Sequence, residues 1–306
     1  MYKLYFLLKR IQKRYKLNDK CIHIMQKIEG YIEAYYNLFI PKYYKKTQKK
    51  RCYKKRNNKS RIIVSLTSFP KRIDIVWITI ESILRQSQKP DEIILWLAEE
   101  QFQGIDSLPK NLLELTEKGL TIRFCDDLRS HKKYYYVMQE YPKDIIILAD
   151  DDMVYPRDTI EKLLRLHKKY PKDICCITGQ VIGTNEELPS NWRNPYVNEK
   201  LVHSDNVQIF TGSGSLYPPK CLNKDVFNRG LIQQLCPHAD DLWLTYMARK
   251  NNTKITTLSP WRPFPITIYG TSENSLWYIN AGQGKNDQQW MAIKKHYENG
   301  IKDSDK

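Results

Sequence analysis

Two groups of aspartates stand out for the chemistry they could do. Asp150, Asp151 and Asp152 are consecutive and follow the apolar run Ile-Ile-Ile-Leu-Ala. Like charges this close raise one another's pKa unless a cation neutralises them. Mg2+ and Mn2+ prefer carboxylate oxygens, one or two from protein and the rest from substrate phosphates and water. The triplet therefore points to a divalent metal and a phosphate-bearing ligand. The plainer alternative is a solvated acidic turn capping the next helix. The second group, Asp240-Asp241, opens a helical pattern that runs to Lys250. Acidic residues suit a first helical turn, but capping needs only one of them.

The elements that would position these groups follow a β-α-β-α rhythm from residue 61. Strands are expected at Ile62–Leu66, Glu92–Leu97, Leu120–Phe124 and Asp144–Ala149. Helical spacing covers Ile73–Leu84, Tyr134–Tyr141, and the stretch that Pro156 opens towards Tyr170, with a shorter helix at Leu112–Lys118. This order implies an α/β fold, a mostly parallel sheet flanked by helices. Ligands bind such sheets at the carboxyl ends of the strands, where the triplet falls. Further strands are expected at Ile174–Ile182, Val207–Thr211 and Lys254–Leu258. Trp261–Asn286, rich in Trp, Tyr, Asn and Gly, reads as a loop packing over the site.

The run Ile146–Pro156, IILADDDMVYP, resembles the Asp-x-Asp region of glycosyltransferases with the GT-A fold. IIVSLTSFPKR followed by SILRQSQKPDEIILWL is similar to the opening strand–helix–strand of family 2-like bacterial polysaccharide glycosyltransferases. GSGSLYPP (Gly212–Pro219) and HADDLWL (His238–Leu244) follow in the expected order, so the likeness spans roughly residues 61–290. The resemblance implies a Rossmann-like GT-A domain acting on a nucleotide-sugar donor, UDP- or GDP-linked. Asp150 and Asp152 become the metal positions, for Mn2+ or Mg2+, with Asp151 as a substitute for either and a donor-side residue. Thr67 matches the position that touches the nucleoside. Arg72 and Lys133 are placed in sequence to approach base, ribose or phosphate, although Lys133 also reads as a solvated helix charge. Asp241 matches the general base that an inverting transfer needs, with Asp240 orienting acceptor or metal. Gly212 and Gly214 would let the backbone approach the donor, or simply form a tight turn. Tyr217, Trp192, Trp243 and Trp277 are stacking candidates or core residues. Asn286-Asp287 is a candidate to close over the diphosphate. One departure is that the acidic residue usual after the second strand is displaced here to Glu99 or Glu100, beyond Leu95-Trp96-Leu97-Ala98.

Charge divides the chain. Of the 50 basic and 34 acidic side chains, 18 and 3 lie in residues 1–60, so nearly all of the net +16 sits there. The remainder is close to neutral, and a nucleic-acid partner is not expected. Leu4, Leu7, Leu8, Ile11 and Tyr15 fall on one helical stripe with Lys9, Arg10, Lys13, Arg14 and Lys16 around it, and a basic block follows from Lys42 to Lys59. The apolar run Leu4–Leu8 is far short of the ~20 residues a span needs. Residues 1–60 thus read as a basic amphipathic helical extension on an anionic membrane surface, at its cytoplasmic face. A solvated extension, a protein contact, or an RNA contact are the alternatives. Residues 61–306 read as the transferase domain, with a donor-binding half at about 61–155 and an acceptor and catalytic half at about 156–306. The acceptor expected is a glycan or lipid-linked glycan, as in capsule or lipopolysaccharide assembly. Seven scattered cysteines without a CxxC pair fit a reducing compartment, and Cys236 with His238 is too sparse for a zinc site.

Three rival readings remain at this stage. A retaining transferase on the same fold would remove Asp241 from the base role. A nucleotidyltransferase also uses aspartates and Mg2+, but the loop Thr67-Ser68-Phe69-Pro70 lacks the glycines its phosphate loop needs. An RNA-binding protein with a basic arm gives no reason for five aspartates in two clusters.

Overall fold

The computed structural model describes residues 18–47, 60–182, 188–192, 202–258, 265–271 and 284–302, together with Leu4, Tyr5, Leu7, Leu8 and Ile11. Its centre is an eight-stranded sheet in the order β3-β2-β1-β4-β10-β6-β11-β8. The strands are β1 (Ile62–Thr67), β2 (Glu92–Ala98), β3 (Leu120–Cys125), β4 (Ile145–Leu148), β6 (Ile174–Cys176), β8 (Val202–Ser204), β10 (Ser215–Tyr217) and β11 (Ile255–Thr257). β1 pairs in parallel with β2 and β4, β2 with β3, and β6 with β11. β10 runs antiparallel between β4 and β6, and β8 is antiparallel to β11.

The central strands are continuous apolar runs because both faces of the sheet are covered. Neighbouring residues on each strand face opposite cores, as a two-residue period requires. Ile63, Ile94, Ile146, Cys176 and Tyr217 enter one core, while Val64, Leu95, Ile147, Cys175 and Leu216 enter the other. Cys175 and Cys176 are core residues, as expected. The helix α2 (Val76–Leu84) buries every one of its residues, and a fully buried side chain such as Ile80 contributes about 1.5–3 kcal/mol. Also flanking the sheet are α4 (Lys132–Glu140), α5 (Thr159–Lys169) and α7 (Asp240–Lys250). Short pieces α3 (Lys110–Leu113) and α6 (Arg229–Leu235) complete this region.

Several boundaries differ from the sequence reading. Pro156 does not open a helix; α5 starts at Thr159 after Asp158. The run Ile174–Ile182 divides into β6 and β7 (Gly179–Val181), and β7 pairs not with the main sheet but with β9 (Val207–Ile209). Most of the tail expected as a loop lies outside the described residues. Within it, β12 (Ile266–Thr267) pairs antiparallel with β5 (Met153–Val154). Asn286 and Asp287 belong to a helix, α8 (Lys285–Lys302), and Asp287 accepts hydrogen bonds from the Ser190 N–H and hydroxyl, so it is committed to that contact.

Ahead of the sheet lies α1 (Asp19–Lys46), a long helix within the expected N-terminal helical extension, at bounds the sequence reading did not give. Asn18 caps it by accepting from the Cys21 N–H. Its Glu29, Ile32 and Tyr44 are buried, and Tyr5, Leu8, Ile32 and Ile266 form a small separate core. Tyr5 and Leu8 are thus packed, whereas Leu4 and Leu7 are exposed. Residues 12–17 and 48–59, with much of the expected basic pattern, lie outside the described residues.

Candidate active site

The turn after β4 places the three aspartates at the carboxyl edge of the sheet. They do not form a solvated cap. Asp151 and Asp152 are buried, and the next helix is preceded by Asp158. Asp151 turns inward, accepting from the Ser68 hydroxyl at 2.6 Å and from Arg72 Nη1 at 2.6 Å. Each of its oxygens thus has a partner within the protein. Asp152 meets the same Arg72 nitrogen at 3.1 Å. Burial, with the Asp151 charge beside it, pushes the Asp152 carboxyl up to about 7.

Arg72 is buried alongside it. Its Nη2 donates to the Thr271 carbonyl at 3.0 Å, and its pKa is raised because the Asp151 and Asp152 charges outweigh the cost of burial. Thr67 donates its hydroxyl to the Trp96 carbonyl, so it is Ser68, given no role by the sequence reading, that reaches the acid turn. Glu99 and Glu100 lie exposed in the turn after β2.

Lys133 joins the two acid groups. It projects from α4 and is buried, not a solvated helix charge. Its Nζ donates to Asp150 Oδ1 at 2.6 Å and Thr211 Oγ1 at 2.7 Å, and pairs with Asp240 Oδ2 at 2.9 Å. Burial opposes its charge, but Asp150, Asp240 and Asp241 outweigh it and hold its pKa well above the usual value. Thr211 donates its hydroxyl to Asp241 Oδ1 at 2.6 Å and its N–H to the same oxygen at 3.0 Å. Neither aspartate caps α7 through its side chain; Ala239 occupies the cap position. Burial works against an ionised Asp240, yet Lys133 holds its pKa below the usual carboxylate value. Asp241 is pushed up to about 7 by burial and the Asp240 charge.

The loop before β10 arrives at this edge because β10 runs backwards, so its beginning abuts the end of β4. Tyr155 fastens this loop to the acid turn. Its buried hydroxyl accepts from the Asp150 N–H at 2.8 Å and donates to the Gly212 carbonyl at 3.0 Å. Gly214 has φ +98, and a Cβ there would lie 3.2 Å from Thr159 Cγ2 on α5. The tight turn and the underlying helix therefore account for the glycine. Gly214→Ala should cost about 1–3 kcal/mol from backbone strain, measurable as a lowered urea midpoint at unchanged slope.

The aromatic candidates Tyr217, Trp192 and Trp243 are core residues. Tyr217 and Trp243 are fully buried, with Trp243 Nε1 donating to the Val226 carbonyl. Trp192 packs edge-on to Trp290, and Trp277 lies outside the described residues. Cys236 and His238 do not converge: the thiol donates to the Ala239 carbonyl, and the ring meets Arg129 at 2.9 Å. Tyr155 and Thr211 carried no signal beyond standing next to recognised motifs, and Thr271 none at all.

Asp150 and Asp152 are the carboxylates that the sequence reading assigns to a divalent cation. Asp150 is the most exposed of the three carboxylates, at 35% of its side chain, and Asp152 shares a single cation with Asp151. Among the described residues, Arg72 and Lys133 face these aspartates, and burial together with a neighbouring carboxylate raises Asp152 and Asp241. Among the described residues no three His, Cys, Asp or Glu side chains make a full metal cage. A cation here would complete its shell with phosphate and water.

A mostly parallel sheet with acid clusters at its carboxyl edge is the α/β arrangement expected from the sequence. Residues 102–224 match glycosyl transferase family 2, a stretch that holds Asp150–Asp152 and Gly212–Gly214 and stops before Asp240. Over that stretch the chain resembles family 2 glycosyl transferases. Comparison with curated proteins gave no match. Among solved structures, the mannosyltransferase PcManGT from Pyrobaculum calidifontis, in complex with GDP-Man and Mn2+, is 13% identical over 85% of this chain and 71% of its own, with a TM-score of 0.48. A CMP:2-keto-3-deoxy-manno-octonic acid synthetase complexed with CTP is 13% identical over 65% of this chain and 89% of its own, at 0.39. Both scores are too low to argue from.

Proposed function

We propose that the protein transfers a sugar, with inversion, from a nucleotide-diphosphate sugar to a glycan or lipid-linked glycan in surface polysaccharide biosynthesis. The observation that carries this is the Asp150–Lys133–Asp240 bridge, which brings a phosphate-side acid group and a helix-start acid pair to one edge of the sheet. Asp150 and Asp152 would hold a divalent metal, which as a Lewis acid would supply charge neutralisation for a leaving diphosphate. Asp241, fixed by two Thr211 hydrogen bonds and raised towards neutral pH, accepts the acceptor hydroxyl's proton. Asp240 remains ionised beside Lys133 and disfavours a second charge on Asp241, which tunes the base. Arg72 and Ser68 fix Asp151 and thereby the turn that carries the metal pair.

In this reading residues 1–60 attach the enzyme to an anionic membrane surface on its cytoplasmic face. Residues 61–155 form the donor half and 156–306 the acceptor and catalytic half. The test is a thermal-shift screen of UDP, GDP, CMP and ADP with and without Mn2+. One nucleotide should raise the melting temperature only with metal, by about 2.7 kcal/mol of added stability at a hundredfold excess over Kd. Asp152→Ala should abolish that rise. The absence of a metal-dependent shift with every nucleotide would overturn the donor site, and a retained anomeric configuration in the product would remove Asp241 from the base role.

A further inference from the structure

The helix α1 has two apolar faces. The inner one holds Ile32 and Tyr44 against the domain. The outer one carries Ile24, Ile28, Tyr31, Tyr35, Leu38 and Phe39, between 38% and 75% exposed. At 3.6 residues per turn their stripe is centred roughly 140° around the helix from the inner face. A run of six large apolar side chains exposed on one helix face marks a docking surface.

The charges on the helix identify the occupant. Lys20, Lys27, Lys42 and Lys46 are exposed and fall within or beside the outer stripe. Asp19, Glu29 and Glu33, the only acidic residues of α1, lie towards the inner side. A second copy docked on this face would set lysines against lysines. An anionic bilayer would accept both the apolar stripe and the lysines. No helix among the described residues is long and apolar enough to cross a membrane, so α1 would lie in the interface plane.

We infer that the outer face of α1 is a docking site for an anionic lipid surface, and that α1 connects that surface to the acid turn. Asn37, from the side of α1 nearer the domain, donates to the Thr267 carbonyl at 3.2 Å and accepts from the Tyr269 N–H at 2.7 Å. The same segment donates from the Ile268 N–H to the Asp152 carbonyl at 2.8 Å and offers the Thr271 carbonyl to Arg72. A docked α1 thus holds Asp152 and Arg72 at a fixed offset from the lipid surface. This narrows the membrane attachment of residues 1–60 proposed above to one face of α1, and that a lipid-linked sugar acceptor is presented there rests on the proposed transfer reaction.

The experiment is flotation of the full chain with phosphatidylcholine vesicles, with and without phosphatidylglycerol, at low and high salt. Wild type should float with the anionic vesicles and release in salt, each lysine adding about fivefold to partitioning. Ile28→Glu/Leu38→Glu and Lys27→Glu/Lys42→Glu should each weaken flotation tenfold or more while melting as wild type does. The lysine pair serves if the apolar pair unfolds. Equal flotation by wild type and the lysine variant, no flotation with either vesicle, or a dimer dissolved by Ile28→Glu/Leu38→Glu would overturn the inference. Nucleotide thermal shifts on the same samples separate the two readings: lost flotation with intact nucleotide binding isolates the docking face. Intact flotation without nucleotide binding counts against the transfer reaction alone.

Discussion

Asp241→Asn should lower kcat by about 10²–10⁴, the range a positioned general base contributes, with the fold intact. Asparagine keeps the oxygen that accepts from the Thr211 hydroxyl and N–H, so geometry is preserved and only basicity is lost. The wild-type rate should carry its own signature. With the Asp241 carboxyl near 7, kcat/KM should fall about tenfold per pH unit below that value. Stability should move the other way. A carboxyl whose folded pKa lies above its unfolded one contributes its full stability below the unfolded pKa and loses it as pH rises through the folded pKa. The metal-free wild type should therefore lose stability between about pH 4 and 7, where Asp241→Asn loses less. Denaturant melts at pH 5 and 8 check this. A wild type and variant whose gap does not change with pH would show that Asp241 is not held protonated by its surroundings.

Lys133→Met should cost about 3–5 kcal/mol, the penalty for removing one partner of a buried charge group. The methionine fills the space but leaves Asp150 and Asp240 facing each other across an apolar side chain. The loss should shrink as pH falls and the aspartates take up protons. Adding Asp240→Asn should recover part of it, because the orphaned charge is then gone. Two losses that simply add would show that Lys133 and Asp240 are not energetically coupled. Activity should vanish in the single variant, and recovered stability in the double variant should not restore it.

The sheet was legible because its central strands are apolar on both faces and end in turn or acid signals. The acid groups were legible because like charges in such a run demand compensation. What supplies the compensation was not. Arg72 and Lys133 read as donor-facing cations, yet each is consumed by aspartates distant in sequence, a pairing that depends on how β1, α4 and β4 lie together. Thr211, Ser68 and Tyr155 act through single hydroxyls, and hydroxyl residues carry no periodicity. The outer stripe of α1 escaped because its two apolar faces blur the one-faced pattern by which a helix is recognised.

The reversed strand β10 sets a mechanical scale for the reaction centre. Ser215 pairs with Leu148 and also with Cys176, so the Thr211 loop and the aspartate turn are gauged by the same ladder. A slip of one residue would shift that loop by about 3.3 Å along the strand and turn Leu216 to the opposite core. The spacing between the two acid groups is therefore quantised by strand pairing, and evolution could vary the loops around it freely while the gap itself could change only in whole-residue steps.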